Sequence, residues 1–181
     1  MREDYTGEYD PGISFESFSR DTLIELLKAY AKLYAAADGF WYLAVKEKFD
    51  NEAALDCDIK VWERGVKYEL DRLTKPLKIQ GDDVVALMKV FQISPWFQLM
   101  DYEVEFKSKD DAVFTVTSCP TLASLEKEGT GREENICNLV EPMVFRKYAD
   151  YFNPTIEVIP LKVPPRENKR GICCQWEFRL K

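Results

Sequence analysis

Histidine is missing altogether from these 181 residues. Its absence removes the side chain that most often moves protons near neutral pH and the commonest metal ligand. A histidine-dependent triad, a zincin site and a two-histidine facial triad are thereby excluded. Soft-metal or nucleophile chemistry must rest on thiolates, with carboxylates as the available bases. Glycine is sparse, at 8 residues, and none forms a GxGxxG or GxxxxGK[ST] loop, so no nucleotide cofactor is expected. No apolar run approaches the roughly 20 residues that cross a bilayer. Met1-Arg2-Glu3-Asp4 does not lead into an apolar signal region either. The net charge is -7, from 32 acidic against 25 basic side chains, and no Lys/Arg run is dense enough to neutralise a row of phosphates. Neither nucleic acid nor membrane is an expected partner, and a cytoplasmic location is expected.

What is present describes a soluble globular chain: 46% hydrophobic, 13% aromatic and 31% charged residues. The length suits one domain over residues 1–181. Five cysteines is an odd number, and a chain of this size does not need disulfide staples, so reduced thiols, free or metal-bound, are expected.

Residues 1–17, with Gly7, Pro11 and Gly12, read as an extended arm anchored by Ile13, Phe15 and Phe18. A mainly helical half follows over 18–100. Ser19 caps a first helix whose apolar positions from Leu23 to Ala37 keep helical spacing. Asp38-Gly39 is expected to end it, with Asp38 capping a second helix through Phe40, Trp41 and Phe49. A long third helix should run from about Glu52 to Lys75-Pro76, and a fourth should open at Gly81-Asp82-Asp83. Gly65, inside the third, costs about 1 kcal/mol relative to alanine and marks close helix packing or space for a ligand. The period then changes. Tyr102 to Lys107 alternates strictly and Ala112 to Thr117 is β-rich, predicting a hairpin. Residues 101–181 form a sheet half with an inserted helix, in which Pro142 requires a kink or a new helix start. Strands are expected over Ile156–Val163 and Ile172–Leu180. Helices followed by strands without βαβ alternation predict an α+β fold, N-terminal helices packed on a C-terminal antiparallel sheet of about four strands.

The chemistry-bearing residues are thiols, carboxylates and aromatics. Cys119 follows the second strand, Cys137 lies near a helix start, and Cys174 shares a strand face with Trp176 and Phe178, whereas Cys173 points to the other face. Converging, Cys119, Cys137 and Cys174 would favour zinc, which takes sulfur ligands tetrahedrally. An iron–sulfur cluster, which ordinarily uses four cysteines, ranks below it. The bland alternative makes Cys174 a core thiol. A single active thiolate, Cys119 or a Cys137 at a helix N-terminus, would be a nucleophile. Asp58 and Glu69, three and four residues around the long helix from the Trp62 stripe, or Glu47, would then serve as bases; the alternative leaves Asp58 and Glu69 in solvent beside the core.

Asp38-Gly39-Phe40-Trp41, Asp58 with Val61-Trp62-Glu63-Arg64, Pro95-Trp96-Phe97, Cys119-Pro120, Cys137 and Cys174-x-Trp176-x-Phe178 together resemble a family of uncharacterised prokaryotic cytosolic proteins. That family is distantly similar to the L-2-amino-thiazoline-4-carboxylate hydrolases, and the C-terminal half is similar to 4-vinyl-reductase-like ligand-binding domains. The first resemblance implies opening of a small cyclic amidine by water. The second implies a small hydrophobic ligand, often bound in a homodimer and sometimes beside a cysteine metal site. Both favour Cys119, Cys137 and Cys174 over Cys57 and Cys173. The leading expectation is a small-molecule or metal-binding domain with a three-cysteine site. A cysteine- or metal-dependent hydrolase of a small heterocycle, with Cys119, Asp58 and Glu69 catalytic, is the alternative. A partner-binding protein with structural cysteines and exposed Trp41, Trp96 and Phe97 is the third reading.

Overall fold

The computed structural model describes all of residues 1–181. Ser19, whose hydroxyl accepts from the Thr22 N–H, caps helix α1 (Arg20–Lys48). The break expected at Asp38-Gly39 does not occur. A Cβ added at Gly39 would meet nothing within 4 Å, so this glycine costs only about 1 kcal/mol of helix propensity. That is too little to interrupt a helix supported by turns on both sides. Asp38 turns into a cavity instead of capping. The real boundary is Asp50, whose carboxylate accepts from the Ala53 N–H at 2.8 Å and opens helix α2 (Asn51–Leu77). With so short a link, α1 and α2 pack antiparallel.

Helix α2 buries Ala54, Asp58, Trp62, Val66, Leu70 and Thr74 at four-residue steps, with Glu69 alongside. Gly65 marks neither close packing nor a ligand space: the nearest neighbour of an added Cβ is the Trp62 ring at 4.0 Å. Asp83 caps the short helix α3 (Val84–Phe91), which buries six residues including Phe91.

The expected hairpin forms as β1 (Asp101–Ser108) and β2 (Asp111–Ser118). Helix α4 (Pro120–Glu128), the single turn α5 (Arg132–Asn135), a π-helical turn (Ile136–Val140) and helix α6 (Glu141–Phe152) follow. Pro142 lies in the first turn of α6, directly after the π-helical turn. Strands β3 (Ile156–Lys162) and β4 (Cys174–Leu180) complete an antiparallel sheet of order β1-β2-β4-β3. This is the α+β architecture that the change of period predicts.

Alternation sorts the sheet as expected: Phe114, Val116, Cys174, Trp176 and Phe178 are buried under the helices, and the charged Glu103, Glu105 and Arg179 are exposed. One apolar core joins the two halves of the chain. Phe91 stacks on Phe97 with ring centroids 4.1 Å apart, and Phe145 meets Trp176 edge-on at 4.9 Å. Phe97 is therefore a core residue, not the exposed anchor expected of it, and Trp41 and Trp96 are half-buried. Residues 1–17 are mostly exposed and are pinned where Arg2 bridges to the strand-like backbone at Phe18. No helix is long and apolar enough to cross a membrane.

Candidate functional site

Helices α1, α2, α4 and α6 with the π-helical turn enclose a cavity of about 500 Å³ in which 13 of 22 lining residues are hydrophobic. That volume and that lining suit a small organic molecule. Trp62 and Trp96 form an aromatic wall, meeting edge to face at 5.2 Å, with Tyr34 packed edge-on against both at 6.2 and 6.4 Å. Tyr34 and Tyr148 donate to Glu69 Oε2 and Oε1 at 3.1 and 2.6 Å. Glu69, buried as the stripe reading of α2 requires, is thus occupied by two tyrosines behind the wall, and it does not itself line the cavity.

Three carboxyl groups do line it: Asp38 from α1, Asp58 from α2 and Glu141 from the start of α6. Burial pushes Asp38 up to about 6, while the indoles of Trp41 and Trp62 act the other way. Asp58 is pushed up to about 7, first by burial and then by the charge of Asp38; the Trp62 indole opposes this. Burial alone raises Glu141 to about 7. Asp58 is only 4% exposed, and its Oδ1 has no hydrogen-bond partner, nor does Glu141 Oε2. Buried carboxylate oxygens normally have partners, so these two are the unmet acceptors of the cavity. Arg132 also lines it, but its guanidinium is held by Glu128 at 2.5–3.2 Å and lies over the Tyr42 ring at 4.9 Å. Lys32 stands exposed at the rim.

The thiols occupy the adjoining region. Cys119, Cys137 and Cys174 are all buried in the core, and they are close enough to one another and to Glu141 to sense each other's charge. Burial first, and the Glu141 charge second, raise all three: Cys119 to about 12, Cys137 and Cys174 further. The three lie in one region of the core as protonated thiols, not as an assembled set of metal-ligating thiolates. Cys119 Sγ accepts from the Leu122 N–H at 3.4 Å as the cap of α4. Cys137 sits in the π-helical turn and is pushed up, not down. No group of three or more Cys, Asp or Glu side chains is arranged to hold a metal ion. Cys173, which the sequence reading sets aside, is buried in the same core at the entrance to β4, beside Cys119, its Sγ 3.4 Å from both Thr117 O and Arg166 Nη1. Cys57 is half-buried on α2 and Glu47 is exposed on α1; neither lines the cavity.

Of the expected site residues, the cavity takes Asp58 directly and Glu69 through Tyr148, while the cysteines do not line it and are linked to it only by the charge of Glu141. Sequence reasoning missed Asp38, Glu141, Arg132 and Tyr148. A signal for Asp38 existed: it follows Ala31 by seven residues and Ala35 by three and precedes Tyr42 by four, placing a carboxylate on an otherwise apolar helix face.

Fold and cavity together define an α+β domain built around an internal aromatic pocket with carboxyl groups in its wall. The chain belongs to the Family of unknown function (DUF6125), whose model matches residues 16–180, everything but the arm and the last residue. No curated protein and no solved structure matches it significantly.

Proposed function

We propose that the chain binds a small organic cation: an apolar or aromatic body seated against Trp62 and Trp96, with an amine or amidinium group held by Asp38 and Asp58. The observation that carries this reading is the buried Asp58 carboxylate, its Oδ1 without a hydrogen-bond partner, in the wall of a largely apolar cavity that Asp38 also lines. Two neighbouring carboxyls in low dielectric repel and take up protons. A cation placed between them removes both penalties, and an amidinium presents paired N–H donors to a carboxylate. The aromatic wall adds attraction for the same charge. The one fixed cation in the wall, Arg132, is already neutralised by Glu128, which leaves the cavity with an excess of acceptors.

Benzamidine and its neutral near-isostere benzamide test the reading, with quenching of Trp62 and Trp96 fluorescence as the signal. At pH 8 benzamidine should bind about ten- to a hundredfold more tightly, the worth of one or two charge-assisted hydrogen bonds. Asp58→Asn should abolish the preference. Equal binding of the two probes, or no saturable binding of either, would sink it.

A second reading, hydrolysis of a bound cyclic amidine, is favoured by one further observation. Asp38 and Asp58, at about 6 and about 7, bracket the pH at which one carboxylate can accept a proton from water while its neighbour donates one to a leaving nitrogen. Turnover would follow a bell-shaped pH profile, and its loss in Asp38→Asn and Asp58→Asn but not in Cys119→Ser would assign the chemistry to the carboxyl pair.

A further inference from the structure

Helix α1 is 29 residues long, yet only Ala31 and Tyr42 in it are buried. The face bearing these two and Asp38 turns to α2 and the cavity. The opposite face carries Leu23, Leu26, Tyr30, Leu33, Ala37, Phe40 and Ala44, an unbroken alternation of three- and four-residue steps without a charge. Its middle is open to solvent: Leu33 is 63% and Phe40 72% exposed, and Ala37 and Ala44 are exposed as well. With flanking Leu27 and Ala29, the stripe presents on the order of 600 Å² of apolar surface. That is at the top of the roughly 300–600 Å² that the largest patch on a monomer reaches, and approaches the ~800 Å² per partner of a standard interface.

We infer that this stripe is the two-fold interface of a homodimer, in which α1 pairs antiparallel with α1 of a second copy. The stripe is its own complement. With the helices crossing at Ala35, Leu33 lies against the partner's Ala37, Tyr30 against the partner's Phe40, and Leu26 against the partner's Ala44. Two of the three layers thus set a large side chain against an alanine, and the third pairs two aromatic rings. A parallel pairing would instead put Phe40 on Phe40 and leave Ala37 facing Ala37, crowding one layer and emptying the next. Large side chains set against small ones fill such a seam as knobs fill holes, and Ala29 beside it allows the backbones to approach. Nothing in the cavity reading is needed for this pairing, although both use α1.

Sedimentation equilibrium of the full chain from 1 to 100 µM should give twice the 21.1 kDa chain mass. Leu33→Lys and Phe40→Glu each place a charge in the seam and should raise the dissociation constant by about a hundredfold or more. Far-UV circular dichroism should not change, because both side chains face solvent in the lone chain. Orientation follows from disulfide trapping in a Cys57→Ser background: Leu33→Cys chains mixed with Ala37→Cys chains should cross-link to each other, and Ala37→Cys alone should not cross-link to itself. A monomeric wild type at 100 µM, a dimer indifferent to both charge substitutions, or preferential self-cross-linking of Ala37→Cys would overturn the inference.

Discussion

The buried thiols and the carboxyl-lined pocket are linked by Glu141, which lines the pocket and whose charge raises the thiols, and the same apolar surroundings affect the two groups in opposite ways. Raising a cysteine confirms the state it already holds at neutral pH, so Cys119, Cys137 and Cys174 settle into the core as small hydrophobes. Raising an aspartate takes it from charged to half-protonated near neutrality, and until something pairs with it the buried charge is destabilising. Thiols here stabilise the fold; carboxyls retain an unmet demand that only a ligand or a proton answers. In a histidine-free chain, burial has given Asp38, Asp58 and Glu141 the titration range a histidine would ordinarily cover.

The contrast can be broken most severely at Asp58. Its folded pKa of about 7 lies above the unfolded value of 3.8, so the folded state binds the proton more tightly. The contribution of this one group to folding stability is greatest below about pH 4, falls as pH rises toward 7, and is level beyond. Asp58→Asn, which cannot ionise, should therefore raise stability at pH 8 by about 2 kcal/mol, allowing for the amide's own unmet hydrogen bonds. Urea unfolding should show little gain at pH 4, and a gain that is equal at both values would refute the buried-charge account.

Cys174→Ser sharpens the other side. A hydroxyl beside Trp176 on the buried sheet face should cost about 1–2 kcal/mol, with no change in cost between pH 5 and 8 because the thiol is neutral throughout. Cys119→Ser should cost far less, about 0.5 kcal/mol or nothing, since serine is a strong cap for α4 and takes over the bond to the Leu122 N–H. A modest effect of the opposite sign is expected at the cavity rim. Gly39→Ala should stabilise α1 by about 0.5–1 kcal/mol, because an added Cβ meets nothing, while weakening benzamidine binding by entering the cavity. Finally, a bulky thiol reagent should label Cys57 rapidly in the native chain and the four buried thiols only on unfolding.

Much of the fold was legible in local pattern. The strict alternation at Tyr102–Lys107 and the faces of β4 follow from period 2, and the cap at Ser19 and the stripe on α2 follow from period 3.6. The misread boundary at Asp38-Gly39 shows the limit: two residues with the chemistry of a helix end lie inside one helix, because the packing of α1 on α2 outweighs a cost of about 1 kcal/mol. Site legibility was uneven for a related reason. Cys174 could be assigned to the core face from its strand, but the burial of Cys173 beside Cys119 could not, because alternation alone puts it on the face opposite Cys174. Nor could Glu141 be placed, because its burial depends on a π-helical turn that aims it between thiols and cavity.

By itself, then, the sequence determined the repertoire and the elements: no histidine or phosphate loop, thiols and carboxyls as the titratable stock, helices first and an antiparallel sheet after, with Cys174 on the inner face. Only the tertiary structure decided what those groups became. The protonation of a thiol or a carboxyl depends on how much water and which charges surround it. Those surroundings, with Asp38 against Asp58 and Glu141 among three cysteines, exist only once α1, α2 and the α4–α6 segment have closed around one another.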